Sequence, residues 1–319
     1  MSPGQLVQGV LHPAGPQANA IHQLWLALLW SSVVVFSVVI GFAVTALVHG
    51  MGRGSEPVPV GGEKTLTRHV STAVGCTVLI LLAFLAASVW TGRETSRLQT
   101  STAITIALTG HQWWWEVEYE DALPARRVVT ANELHIPTIR PVVLKVTSRD
   151  VIHSFWAPNL QGKRDLIPGY TTAIWLAADK PGVFHGRCAE FCGLQHAHMA
   201  LNIVAEPEQE FEQWLQRVRQ PARRPENMVE QHGQDVFMAA RCAGCHTIRG
   251  TSAHGSVAPD LTHLATRGTL GAGTLPNTPA HLGEWVRNPQ ASKPGNQMPA
   301  NPLPSDELSA LLAYLGSLQ

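Results

Sequence analysis

Two uncharged apolar runs, residues 24–48 and 70–90, constrain this chain more than any other feature of its sequence. In lipid a backbone amide has no water to bond, and a helix satisfies its amides within a single segment. Each run meets the length of about 20 residues needed to cross a hydrocarbon core. Charged residues make up only 14% of the chain, as expected if part of it lies in a membrane. A cleavable signal peptide fits the first run poorly, because no Lys or Arg precedes it and it is too long. Two buried helices of a soluble protein are the alternative. The stretch 49–69 carries Arg53, Lys64 and Arg68, which places it in the cytoplasm and both termini outside.

The 319 residues leave room for two soluble domains beyond such an anchor. Lys plus Arg and Asp plus Glu both number 23, so the zero net charge argues against nucleic acid as a partner. After Trp90 the apolar pattern shortens and alternates. Residues 102–108, 142–147, 171–176 and 201–204 read as strands separated by turn residues such as Asp179 to Gly182. Many short strands of this kind indicate a sandwich or Greek-key barrel. A helix is expected over 207–219, followed by the Pro- and Arg-rich break Gln220-Pro-Ala-Arg-Arg-Pro225.

Cys188-Ala-Glu190-Phe-Cys192-Gly-Leu-Gln-His196-Ala-His198-Met199 gathers soft ligands within twelve residues. Two thiols, an imidazole and a thioether favour copper over magnesium, calcium or manganese. One Cys would serve a single copper; two are enough to bridge a pair. The best-placed second imidazole is His153, in Asp150-Val-Ile-His153-Ser-Phe-Trp. Such a centre carries electrons and has no open position for substrate. A structural zinc site is the competing reading, weakened because Met is a poor zinc ligand. Further on, Cys242-Ala-Gly-Cys245-His246 is the attachment signature of a c-type haem. If these four cysteines hold cofactors, only Cys76 is left and no disulfide can form. Three consecutive tryptophans, Trp113 to Trp115, cannot all face inward on a strand, since neighbours alternate.

With its C-x-E-x-C-x3-H-x2-M loop, its Gly110-His-Gln-Trp113-Trp114-Trp115 segment and its haem motif, the chain resembles subunit II of the haem–copper cytochrome c oxidases, with a cytochrome c domain fused at the C-terminus. The resemblance implies a two-helix transmembrane hairpin over 1–99 and an all-β cupredoxin barrel over 100–206. A helix and linker over 207–226 and an all-α cytochrome c domain over 227–319 would follow. It implies His153, Cys188, Cys192, His196 and Met199 as side-chain ligands of a binuclear copper-A centre. Glu190 would bind copper through its backbone carbonyl, its side chain turned to a magnesium ion shared with subunit I. Trp113 would be the point at which electrons enter. His246 and Met298, in Gln297-Met298-Pro299, would be the axial ligands of haem c, with the Pro259 carbonyl orienting the His246 ring. Gly162-Lys163-Arg164-Asp165 would contact subunit I, and Ser305 would cap the closing helix.

Function follows the same resemblance. Electrons from a cytochrome c or a cytochrome bc complex would pass through haem c and copper to subunit I. There oxygen is reduced to water with proton translocation, in a bacterial plasma-membrane complex that also holds subunit III. Haem attachment outside the cytoplasm agrees with the orientation read from charge. One departure stands out: Thr67 occupies the position where many members carry a Glu at the mouth of a proton path, and Glu63 is the nearest substitute. A quinol oxidase subunit, a self-standing membrane-anchored carrier and a nitrogen-oxide reductase are the other readings weighed. The intact copper ligand set speaks against the first.

Overall fold

The computed structural model describes residues 9–51, 62–97 and 103–319, which fall into two compact units. Arg53, Thr102 and the expected boundary at 99/100 lie outside the described residues. One unit, 19–97, holds most of helix α1 (Pro16–Met51) and all of α2 (Glu63–Ser96). Both helices enclose the expected apolar runs, and Glu63 opens α2. Side chains such as Phe36, Phe42, Leu79 and Leu85 are exposed, and the most apolar window of each helix has none of its residues buried. Neither helix therefore serves as the core of a folded domain. Both are long and apolar enough to cross a membrane.

The other unit joins residues 9–18 to 103–319. Its first part is built of ten strands in two sheets. One sheet runs β3 (Val128–Ala131), β2 (Trp114–Tyr119), β1 (Ile104–His111), β5 (Val142–Ser148), β8 (Thr172–Leu176). The second runs β4 (Glu133–Pro137), β10 (Ala200–Glu206), β9 (Gly182–Cys188), β6 (His153–Trp156), β7 (Arg164–Leu166). Pairs β1–β5 and β4–β10 are parallel and the rest antiparallel, so the chain switches sheets repeatedly, as a Greek-key barrel requires. Alternation builds the core: on β2, Trp115, Val117 and Tyr119 point in while Trp114, Glu116 and Glu118 point out. They meet Ile106, Leu144, Leu134, Phe184 and Ile203 from both sheets. Trp113 lies just before the strand, which settles how three tryptophans in a row are placed.

Helix α3 (Glu208–Val218) matches the helix expected over 207–219. Phe211, Trp214, Leu215 and Val218 recur at helical spacing and bury one face in the barrel core. The remainder folds as a small helical body of α4 (Met228–Ala239), α5 (Pro279–Arg287), α6 (Pro289–Ser292) and α7 (Ser305–Gly316). The Asn227 side chain accepts from Glu230 N–H and caps α4. Closing helix α7 begins one residue earlier than expected. Its cap position is Pro304, whose extended backbone makes Ser305 the first helical residue, with no side-chain cap bond.

Helices α4 and α7 cross at Gly233, where an added methyl would run into the Ala310 carbonyl oxygen. Phe237, Leu311, Tyr314 and Leu315 fill the contact around that crossing. Gly233→Ala is expected to force the helices apart, at a cost of about 1–3 kcal/mol. A lowered denaturation midpoint of the helical body in the full chain would register it.

Candidate metal centre and haem site

Strands β6 and β9 carry the first two donors into one end of the barrel. They pair antiparallel, Phe155 opposite Cys188, which sets His153 beside the Cys188 thiol. His153 Nδ1 lies 3.8 Å from Cys188 Sγ, and Cys188 Sγ lies 3.7 Å from Cys192 Sγ. The loop between β9 and β10 supplies the rest. His196 Nδ1 is 3.6 Å and Met199 Sδ 4.0 Å from Cys192 Sγ, while the Glu190 carbonyl oxygen is 3.2 Å from Cys188 Sγ. Cys188, Cys192 and Met199 are buried; the Glu190 side chain is exposed. The loop is closed by Cys188 N–H donating to Met199 O and Ala189 N–H donating to Ser154 O.

This donor set fits a metal. Around a tetrahedral ion with bonds of about 2.3 Å to sulfur and about 2.0 Å to nitrogen, neighbouring donors lie roughly 3.5–3.8 Å apart. The His153, Cys188 and Cys192 donor atoms all lie within 4.8 Å of one another, whereas His196 meets the cluster through Cys192. The two imidazoles thus approach different sulfurs. Electrostatics also calls for a cation. The hydrogen bond between the two sulfurs holds Cys188 well below the usual thiol range, while that bond, burial and the charge on Cys188 push Cys192 up. Two ionised sulfurs this close repel, so both can be thiolates only around positive charge.

Second-tier contacts orient these donors. His153 Nε2–H donates to Asp150 Oδ1 at 2.8 Å, which leaves the Nδ1 lone pair facing Cys188. Burial raises the Asp150 carboxyl, but hydrogen bonds from His153 and from the Gln112 and Val151 amides outweigh it and hold it low. Burial lowers His153, and its bonds to Cys188 and Asp150 more than compensate. Gly110 admits the ring: a Cβ there would sit 2.7 Å from His153 Cδ2. Gln112 Nε2 and Trp113 Nε1 both donate to the Cys192 carbonyl, at 2.7 and 2.9 Å. The Gly-His-Gln-Trp segment therefore braces both halves of the cluster.

In the helical body Cys242, His246 and Met298 line one largely apolar cavity with Leu264, Leu311 and Trp285. Cys245 is exposed. His246 Nδ1–H donates to the Pro259 carbonyl at 2.7 Å, so Nε2 is the nitrogen left free for a metal. Burial lowers His246 despite that bond, which keeps the ring neutral as ligation requires. Gln290 Nε2 donates to the Asn296 and Met298 carbonyls and fixes the methionine loop. Arg267 also lines the cavity, and its buried Nε lacks a partner. A planar apolar group bearing anionic arms, as haem does, fits those residues.

Comparisons with known proteins agree with this chemistry. Residues 124–206 match the cytochrome c oxidase subunit II periplasmic-domain family, and residues 230–319 match the cytochrome c family. Cytochrome c oxidase subunit 2 of Alkalihalophilus pseudofirmus is 34% identical over 97% of this chain and 90% of its own length. The chain belongs to the cytochrome c oxidase subunit II family. The corresponding protein of Bacillus sp. PS3 is 31% identical over 75% of this chain and 68% of its own length. Among solved structures, the periplasmic domain of subunit II (CoxB) of Bradyrhizobium japonicum is 31% identical. It covers 38% of this chain and 97% of its own, with a TM-score of 0.36.

For a subunit II the two domains imply copper and haem c. The fold brings together Cys188, Cys192, His196 and Met199 with His153, and Cys242 and His246 with Met298, whereas Cys245 of the haem motif is exposed and does not line that cavity. His198, the rival to His196, instead bonds Gln195 Oε1 through Nδ1. His111 stacks on Trp114 and His135 on Trp214, and both are packing residues. Sequence reasoning gave no role to Asp150, Arg267 or Lys293. Asp150 stood inside the quoted His153 segment, and its spacing of three residues from His153 was the available signal. Asp150→Asn is expected to weaken metal loading about 10- to 100-fold. Loading should also fall as pH drops through the raised His153 pKa, because the protonated ring has no lone pair to give. A copper titration across pH measures both.

Proposed function

We propose that this chain relays electrons within a terminal oxidase, from a cytochrome c or cytochrome bc donor to a haem of subunit I. Oxygen is reduced to water there, with proton translocation. Bound haem c and two copper ions would supply the one-electron carriers, neither with a vacant position for oxygen. Cys242 and Cys245 would hold the haem, with His246 and Met298 on its two faces. His153, Cys188, Cys192, His196 and Met199 would hold the coppers with the Glu190 carbonyl. The Glu190 side chain, exposed on the loop, would face a magnesium ion shared with subunit I.

One observation carries this reading. Trp113 lines the haem cavity and its indole N–H donates to the carbonyl of Cys192. A single aromatic side chain thus touches both sites, which supports Trp113 as the point at which electrons enter the copper centre. Around it the chain's own residues keep geometry fixed. Asp150 holds His153, Gln112 holds the Cys192 carbonyl, and the barrel core excludes water from the sulfurs. A rigid dry site needs little rearrangement when its charge changes.

The anchor is taken to be residues 1–99, the copper domain 100–206, the helix and linker 207–226 and the haem domain 227–319. Both soluble domains follow α2, and two crossings return the chain to the side from which it started. With the basic stretch around Lys64 and Arg68 cytoplasmic, that side is the outer face of a bacterial plasma membrane. Subunits I and III would surround the hairpin.

Spectra of the purified oxidase test the reading. A low-spin c haem, a mixed-valence copper signal and two coppers in this chain are expected; zinc, or a single copper, would end it. Trp113→Phe should slow haem-to-copper transfer in flash photolysis while leaving both spectra unchanged. Unaltered transfer would remove Trp113 from the path.

A further inference from the structure

Among the described residues Lys293 is an unusual cation. Only 2% of its surface is exposed, and no carboxylate among the described residues pairs with it. Its Nζ donates instead to three backbone carbonyls: Trp113 at 2.8 Å, His198 at 2.7 Å and Gly271 at 2.7 Å. Three acceptors use all three N–H bonds of an ammonium; a neutral amine has only two. Burying a cation is costly unless such partners meet it. Burial draws Lys293 down to about 7, with the charge on Cys192 acting in the opposite direction.

The three carbonyls come from both soluble domains. Trp113 and His198 flank the copper donors, His198 lying between His196 and Met199, whereas Gly271 belongs to the helical body. Neighbouring contacts run the same way. Gln195 Nε2 donates to the Pro294 carbonyl at 2.7 Å, and Ala200 N–H donates to the Ala272 carbonyl at 3.0 Å. Five residues beyond Lys293 stands Met298, in a loop that Gln290 and Asn296 hold rigid. The segment 293–298 is thus continuous from the copper loop to the haem cavity.

We propose that Lys293 is a positioning residue, an interdomain latch that fixes the haem cavity against Trp113 and the copper loop and so sets the rate of transfer between them. It rests on the relay reading above. Electron transfer through protein slows steeply with distance, so a latch at this point controls rate without touching either redox group. It also keeps Trp113, 9% exposed, covered by the chain's own haem domain, which leaves an external donor to deliver to the haem.

The test uses the whole oxidase with Lys293→Met and Lys293→Gln. Met removes every donor, and Gln offers two N–H bonds from a shorter side chain in place of three, so buried carbonyls are left unsatisfied and haem-to-copper transfer is expected to slow about tenfold or more, most in Lys293→Met. The haem c potential, the Met298 ligation band and the copper signal should stay unchanged. Wild-type rates in both variants would overturn the latch, and so would slowing accompanied by altered haem or copper spectra. Amine labelling of the unaltered oxidase gives a second measurement that needs no variant. Lys293 should be protected while the exposed Lys180 reacts, and equal labelling would overturn the proposal. Absence of any transfer in the unaltered oxidase would sink the relay reading instead, leaving the labelling result to judge the latch.

Discussion

Two sulfurs held 3.7 Å apart in a buried loop are the constraint on which the rest of this structure depends. The hydrogen bond between them holds Cys188 low and pushes Cys192 up, so the two do not ionise alike. Holding two charges there requires positive charge beside the sulfurs, which the two imidazoles would help to hold. The barrel provides this because β6 and β9 pair so that His153 meets Cys188, and because the loop after β9 returns His196 and Met199 to Cys192. Asp150 then selects the His153 tautomer that presents Nδ1 to sulfur. Remove the barrel and each of these groups is an ordinary side chain.

The same end of the barrel receives the helical body. Contacts across the boundary are almost all made through backbone groups: the Trp113 and His198 carbonyls to Lys293, Ala200 N–H to the Ala272 carbonyl, and Gly268 N–H to Glu133 Oε1. Backbone acceptors are fixed by the sheets and loops that carry them, so they define a position more sharply than flexible side-chain pairs at a wet surface would. The Gly-His-Gln-Trp segment lies at the centre of this junction. It touches Asp150 through the Gln112 amide, Cys192 through two side chains, and the haem cavity through Trp113.

Much of the architecture was legible before any coordinates. The apolar runs became α1 and α2, and 142–147 and 171–176 became β5 and β8 within a residue or so. The amphipathic stretch over 207–219 became α3. Less legible were β3, β4, β6 and β7, which are three to five residues long and carry too little alternation to read. The cap of α7 was displaced by one residue because Pro304 supplies the extended backbone that a Ser would otherwise provide. At the sites, the Cys, His and Met donors were legible because their chemistry is rare and their spacing short. Lys293 was not, since a lysine before a proline is ordinarily a solvated surface residue.

By itself the sequence determined the ligand chemistry, the two membrane-length runs and the alternating barrel, because each is written in residues close along the chain. Only the tertiary structure decided that His153 faces Cys188 through Nδ1, that Trp113 lies against both sites, and that a buried lysine joins the two soluble domains. Those facts depend on partners 35 to 180 residues apart, whose meeting is settled by strand pairing and core packing. No local pattern encodes which carbonyls a folded chain leaves pointing at one ammonium.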